Sequence, residues 1–137
     1  MRRSPTLLCL LVLLVGTCVR AQNAGPASPA YKTVKDLSYR PGTSDAYAAE
    51  RCKLDLYYPT DSTGFATIVF FHGGGLSNGE KFFLPEWKNE GVAVVSANYR
   101  MHPKVSNPTY TQDAAAAVAW TMQNIEQYGG DPSRIYV

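Results

Sequence analysis

The stretch Phe70-Phe71-His72-Gly73-Gly74-Gly75-Leu76 sets a histidine and three consecutive glycines directly after an apolar strand, Ala66 to Phe71. Glycine admits positive φ and lets another group come close to the backbone. A run of three at a strand end therefore suggests a loop whose peptide N–H groups point at a ligand. In acyl transfer that ligand is the negatively charged oxygen of a tetrahedral intermediate. One preorganised N–H donor aimed at it is worth roughly 2.7–4 kcal/mol of barrier. On the glycines alone, a tight structural turn explains the run equally well.

Two other glycine-loop chemistries fail on spacing. A P-loop needs Gly-x-x-x-x-Gly-Lys followed by Ser or Thr. Gly74 and Gly79 have the interval, but Glu80 follows, Lys81 comes one place late and no hydroxyl is there for magnesium. A dinucleotide fingerprint fails because Gly73-x-Gly75 is followed by Asn78 where the third glycine belongs. Cys52 is a second nucleophile candidate. It lies in an alternating strand pattern, Arg51 to Tyr58, which favours a small core residue.

The elements that must position the loop follow from the pattern. Val34 to Tyr39 reads as a first strand and Pro41 to Asp45 as a turn. Cys52 to Tyr58 is a second strand with Leu54, Leu56 and Tyr58 on one face. The continuously apolar Ile68-Val69-Phe70-Phe71 predicts a strand covered on both faces. Glu80 to Asn89 is expected as a short helix anchored by Phe82, Phe83 and Trp87, and Val92 to Asn98 as a fourth strand. Asn107 and Pro108 suit the cap and first position of a long helix. Its apolar repeat is Ala114, Val118, Met122 and Ile125, and Gly129-Gly130 stops it. Asp131 to Ser133 turns the chain, and Arg134 to Val137 starts a fifth strand. Two meander-like strands and then a strand–helix alternation give an α/β class with a mostly parallel sheet and flanking helices.

The chain has 137 residues, enough for one domain at most. Arg2, Arg3, the apolar run Leu7 to Val15 and Val19-Arg20-Ala21 have the three parts of an export signal over residues 1–21. The apolar core is too short to span a bilayer. Leu14 to Cys18 offers a lipoprotein box as an alternative, with Thr17 bulkier than such a box prefers. Residues 22–30 read as a flexible start and residues 31–137 as the domain. Without Arg2, Arg3 and Arg20, 10 basic residues face 11 acidic ones, so no basic stripe recommends nucleic acid as a partner. Cys9 and Cys18 fall in the leader, which leaves Cys52 without an internal disulfide partner.

Four blocks carry a family resemblance: Phe71 to Leu76 with Gly79-Glu80-Lys81; Val94 to Arg100; Asp113 to Trp120; and Tyr128 to Ile135. In this order they resemble the N-terminal half of α/β-hydrolase serine esterases. The closest group is the secreted bacterial feruloyl and acetyl-xylan esterase-like proteins, with relatives of hormone-sensitive lipase. The resemblance implies Gly74 and Gly75 as oxyanion N–H donors, Gly73 as shaping the turn and His72 as bracing the loop rather than acting as base. It implies no cofactor or metal, and a small-molecule or polysaccharide-linked ester as substrate. Arg100 and Asp113 are expected to pair, and Asp131 to order the turn before the fifth strand.

The same resemblance places the nucleophile in Gly-x-Ser-x-Gly just after strand five. Ser96, Ser106 and Ser133 lack those neighbours, and Ser77, in Gly75-Leu76-Ser77-Asn78-Gly79, has the spelling but follows strand three rather than strand five. The sequence thus reads as an exported esterase fragment that carries the oxyanion loop but no catalytic triad, is inactive alone and ends as strand five begins. Strand three is then expected to lose a neighbour, leaving an aggregation-prone edge. A non-catalytic module holding an anion or carbohydrate is the alternative from another class. A peptidase or arylformamidase is the alternative within the fold.

Overall fold

The computed structural model describes residues 30–137. The expected leader over 1–21 and nearly all of the segment 22–30 lie outside the described residues. Among these, no helix is long and apolar enough to cross a membrane.

Five strands form one sheet: β1 (Tyr31–Ser38), β2 (Lys53–Pro59), β3 (Phe65–Phe71), β4 (Ala93–Ala97) and β5 (Gly130–Tyr136), in the order β1-β2-β4-β3-β5. The expected meander strands β1 and β2 pair antiparallel, and β2 also runs antiparallel to β4. The parallel part is β4-β3-β5, with Val69 opposite Val95 and Ile68 opposite Tyr136. The α/β class stands, with the sheet evenly mixed rather than mostly parallel.

Two helices join it, α1 (Ala46–Arg51) and α2 (Thr109–Asn124). The sequence pattern missed α1. Its start is fixed by the Asp45 carboxylate, which accepts from the amides of Tyr47 and Ala48 and so satisfies two orphan donors. α2 begins one residue beyond the expected Pro108, which takes the cap position without a side-chain hydrogen bond. The face of α2 is also rotated from expectation. Asp113, Ala117 and Thr121 are buried, and Met122 is exposed. Ala117, with no side chain beyond Cβ, lets the helix lie close to a core of Leu54, Leu56, Val69, Val95 and Ile125. Cys52 belongs to this core at 0% exposure, and burial pushes its thiol up, away from the reactive thiolate.

The expected helix over Glu80–Asn89 is reduced to a 3-10 turn at Pro85–Trp87. Side chains of β4 and its exit explain why. The Lys81 amide donates to Asn98 Oδ1 at 2.6 Å and the Phe82 amide to Ser96 Oγ at 3.0 Å. These bonds hold the segment against the sheet, and Pro85 biases the residue before it out of the helical region: Leu84 is extended, at φ −64° and ψ 128°. Phe82 and Trp87 then pack edge-on against Phe70.

Strand five is longer than expected, and β3 is paired on both sides. The predicted turn survives as an excursion within β5: Phe65 faces Gly130, but Thr67 already faces Ile135. Asp131 orders it by accepting from the amide and hydroxyl of Ser133. The exposed edge therefore belongs to β5, where Tyr136 is 61% exposed. β3 is also less fully covered than its apolar run suggests. A cleft of about 550 Å³ opens beside Ile68, Phe70, Trp87 and Tyr136.

Asp113 is the main tie between helix and sheet. Its fully buried carboxylate accepts from Arg100 Nη2 at 2.7 Å and Nε at 2.8 Å, from the Arg100 amide, and from Arg40 Nε at 2.9 Å. Burial pushes its carboxyl up, but the Arg100 bonds outweigh that and hold it below the usual range. A depressed folded-state value gives stability that is complete above the unfolded value near ~4 and is lost as pH falls through the folded one. Asp113→Asn is expected to cost about 3 kcal/mol at pH 7, because it removes the buried charge that two part-buried guanidiniums share. In urea unfolding, that deficit should shrink below about pH 4. An equal deficit at pH 7 and pH 3 would contradict this.

Candidate functional site

The glycine loop leaves the carboxyl end of β3, the end at which open parallel sheets bind ligands. Residues Gly73 to Gly79 are exposed, whereas His72 is 3% exposed beneath them. Every carbonyl from His72 to Leu76 is engaged by the chain itself. The Tyr99 hydroxyl donates to the His72 carbonyl at 2.8 Å. His72 Nδ1 lies 2.8 Å from the Gly73 carbonyl. A carbonyl can only accept, so Nδ1 carries the proton. The Gly74 carbonyl accepts from the amides of Ser77 and Asn78, both at 3.2 Å. Ser77 Oγ donates to the Gly75 carbonyl at 3.0 Å, and the His102 amide to the Leu76 carbonyl at 2.8 Å.

Peptide planarity turns this into a statement about donors. In a trans peptide the C=O of one residue and the N–H of the next point in opposite directions. Fixing the carbonyls of His72, Gly73, Gly74 and Gly75 thus aims the amides of Gly73, Gly74, Gly75 and Leu76 the other way. None of these four amides has an acceptor among the described residues.

The glycines differ in what they are needed for. Gly74 has φ 122°, and an added Cβ would overlap the Asn78 carbonyl. Gly79, at φ 118°, sits so tightly on the His72 ring that a Cβ would overlap Nδ1. Gly73 has neither constraint: its φ is not positive, and a Cβ there meets nothing within 4 Å. The fold leaves Gly73 facing open space.

Around His72 is a polar bracket drawn from four parts of the chain. Tyr99 stacks on the imidazole at 4.7 Å between centroids, with 14° between planes. Burial pushes its phenol up, so the hydroxyl remains a donor. His72 Nε2 is buried with no partner among the described residues, so the stack and the Nδ1 bond orient the ring. Glu80 accepts from Asn98 Nδ2 at 2.6 Å and from Arg51. Burial pushes its carboxyl up, but the Asn98 and Arg51 bonds outweigh that and hold it below the usual range. Lys81, one residue on, bridges Asp55 at 2.8 Å and Asp36 at 2.9 Å. Burial pushes its ammonium down, and the two carboxylates more than restore it.

An apolar cleft of about 270 Å³ adjoins the loop, lined by Phe71, Leu76, Tyr99, Tyr110, Thr111 and Ala114. Leu76 reaches it from a left-handed backbone, φ 60°, which is costly for a side chain of its size.

The structure thus brings His72, Gly73, Gly74 and Gly75 into one loop. Pattern reading missed Arg51 and Tyr99 as its supports. Tyr99 sits next to the recognised Arg100, whereas nothing in the sequence marks Arg51 as buried. Ser96 is fully buried with its hydroxyl accepting from Phe82, and the hydroxyls of Ser77 and Ser133 donate to Gly75 and Asp131. His102 contributes its amide to the loop, and its side chain is exposed.

The steric contrast predicts a graded alanine series. Gly73→Ala should change the thermal midpoint little. Gly79→Ala should lower stability by about 1–3 kcal/mol, through a strained backbone and an overlapped His72. Equal losses in thermal melts would contradict the geometry.

Comparison with known proteins supplies the kinship. A family model, BD-FAE, matches residues 54–137. A probable isoprenylcysteine alpha-carbonyl methylesterase of Oryza sativa subsp. japonica is 37% identical over 92 residues, which is 64% of this chain and 22% of that protein. Lipase 2 of Moraxella sp. is 40% identical over 79 residues, 54% of this chain and 18% of the lipase. The chain therefore spans about a fifth of the length of these relatives. Among solved structures, esterase B of Lactobacillus rhamnosis superposes with a TM-score of 0.63 at 25% identity, covering 77% of this chain and 34% of the esterase. The chain belongs to the BD-FAE family of α/β-hydrolase esterases.

Proposed function

We propose that this chain is the oxyanion-stabilising part of an exported carboxylic-ester hydrolase that works through an acyl-serine intermediate. The observation that carries the reading is the loop of hydrogen-bonded carbonyls and amides without an acceptor among the described residues, at the carboxyl end of β3. Gly74 and Gly75 are the proposed donors to the oxygen that becomes negative. His72 and Gly73 hold the loop around them.

In the proposed reaction a serine oxygen attacks the ester carbonyl, and the carbonyl electron pair moves onto oxygen facing the two amides. The C–O bond to the alcohol then breaks, the alcohol leaves with a proton, and water repeats the sequence on the acyl-serine. Gly75-Leu76-Ser77-Asn78-Gly79 has the spelling Gly-x-Ser-x-Gly, but it lies in the loop after β3 rather than after strand five, and its Ser77 hydroxyl donates to the Gly75 carbonyl; the hydroxyls of Ser96 and Ser133 are likewise bonded within the chain. The reading therefore assigns the nucleophile and its base to polypeptide following Val137. The relatives' names, a methylesterase and a lipase, support an ester substrate. The modest cleft beside Leu76 supports a small one. An ester carried on a polysaccharide fits both export and an exposed loop.

Two experiments decide it. The coding frame beyond Val137 should show Gly-x-Ser-x-Gly within about ten codons, at the strand-five turn where such a serine sits. With p-nitrophenyl acetate, the 137-residue chain should show no turnover. A chain extended through that frame should be active, and Gly74→Val should lower its kcat by about 10²–10³-fold, the effect of losing one oxyanion donor. A stop directly after Val137, with anion or sugar binding retained, favours a non-catalytic module. Turnover indifferent to Gly74→Val would overturn the assignment.

A further inference from the structure

Arg51 is the last residue of α1 and is 7% exposed, an unusual place for a charge that a fold needs only for packing. Its guanidinium is spread across two separate stretches of chain. Nε donates to the Tyr99 carbonyl at 3.2 Å, Nη2 to the Gly79 carbonyl at 3.0 Å, and Nη1 to the Glu80 carboxylate. Tyr99 and Gly79 are also the two residues that hold His72. One stacks on the imidazole and donates to its carbonyl; the other leaves no room for a Cβ against the ring.

We propose that Arg51 is a positioning residue for the glycine loop: it ties the two walls of the slot that holds His72, and so sets the direction of the Gly73 and Gly74 amides. The proposal rests on the esterase reading for its purpose, though not for its geometry. The path is short and every step is a contact. Arg51 fixes the Tyr99 and Gly79 carbonyls, and Tyr99 fixes the His72 carbonyl and ring. His72 Nδ1 then fixes the Gly73 carbonyl. Peptide planarity converts the last two into amide directions.

A simple ion pair does not account for this arrangement. The Glu80 side chain is 70% exposed, and an exposed partner contributes little through solvent screening. Nη2 also reaches Met101 Sδ at 3.9 Å, and two of the four bonds go to backbone carbonyls on separate stretches of chain, which suits a planar fork of fixed N–H directions. A lysine keeps the charge but presents one point, so it cannot hold both carbonyls in those directions.

The test is an amide proton–nitrogen spectrum of the 137-residue chain and its Arg51→Lys variant, with Leu56 and Val95 as references in the sheet. The expected result is displacement or broadening of the Gly73 and Gly74 cross-peaks while the references stay fixed. Unmoved glycine peaks in a folded Arg51→Lys variant would overturn the proposal. Should that variant not fold, Tyr99→Phe decides, since it removes a single hydroxyl from the path. A displaced Gly73 peak supports the relay, and an unmoved one overturns it. The spectrum needs no turnover. Failure of the esterase reading would therefore leave this result standing, and an unchanged spectrum would leave the esterase reading to its own test.

Discussion

A peptide group cannot turn its carbonyl inward without turning the neighbouring amide outward, and the loop after β3 depends on that constraint. Tyr99, His72, Ser77 and Asn78 donate to successive carbonyls, so the amides of Gly73 to Leu76 point away from those bonds and have no acceptor among the described residues. No charged side chain is needed there to receive negative charge. In the proposed reaction these dipoles would be fixed before the ester arrives and would need no reorganisation as charge develops. Glycine is required at Gly74 and Gly79 for opposite ends of this arrangement: one bends the loop over Asn78, the other closes on His72.

The remainder of the fold keeps that loop still. β3 is held by hydrogen bonds to β4 and β5, which fixes where the loop starts. Asp113 joins α2 to the exit of β4 through Arg100, and Tyr99 precedes Arg100 in the chain. The same few residues therefore serve helix packing and loop support. The return segment is tied down by Asn98 and Ser96 on Lys81 and Phe82, so the loop is anchored at both ends. Lys81 extends the anchoring to β1 and β2 through Asp36 and Asp55.

Much of this was legible in the sequence because it depends on local residue type. Apolar runs located β3 and β4, glycine marked the loop and the end of the helical stretch, and Arg100 with Asp113 was readable as a pair. What was not legible depends on partners distant in sequence. The segment Glu80–Asn89 has helical spacing, but Asn98 and Ser96 tie its start to the sheet and Leu84 before Pro85 is extended, so only a 3-10 turn forms at Pro85–Trp87. The face of α2 follows buried Asp113 rather than the apolar repeat through Met122. Strand five looked barely begun because Asp131 to Ser133 signals a turn, which is real but sits inside the strand as an excursion. Arg51 looked like an ordinary strand-flanking charge. Its role appears once Gly79 and Tyr99 are seen on either side of the same imidazole.

Amide hydrogen exchange across the loop tests the central claim most directly. Gly73, Gly74 and Gly75 should exchange at close to unprotected rates. The amides of His102 and Asn98, bonded to the carbonyls of Leu76 and Lys53, should be slowed in the same sample. Protection at Gly74 and Gly75 equal to that at His102 would mean their N–H groups are bound within the chain, and the oxyanion assignment would not survive it.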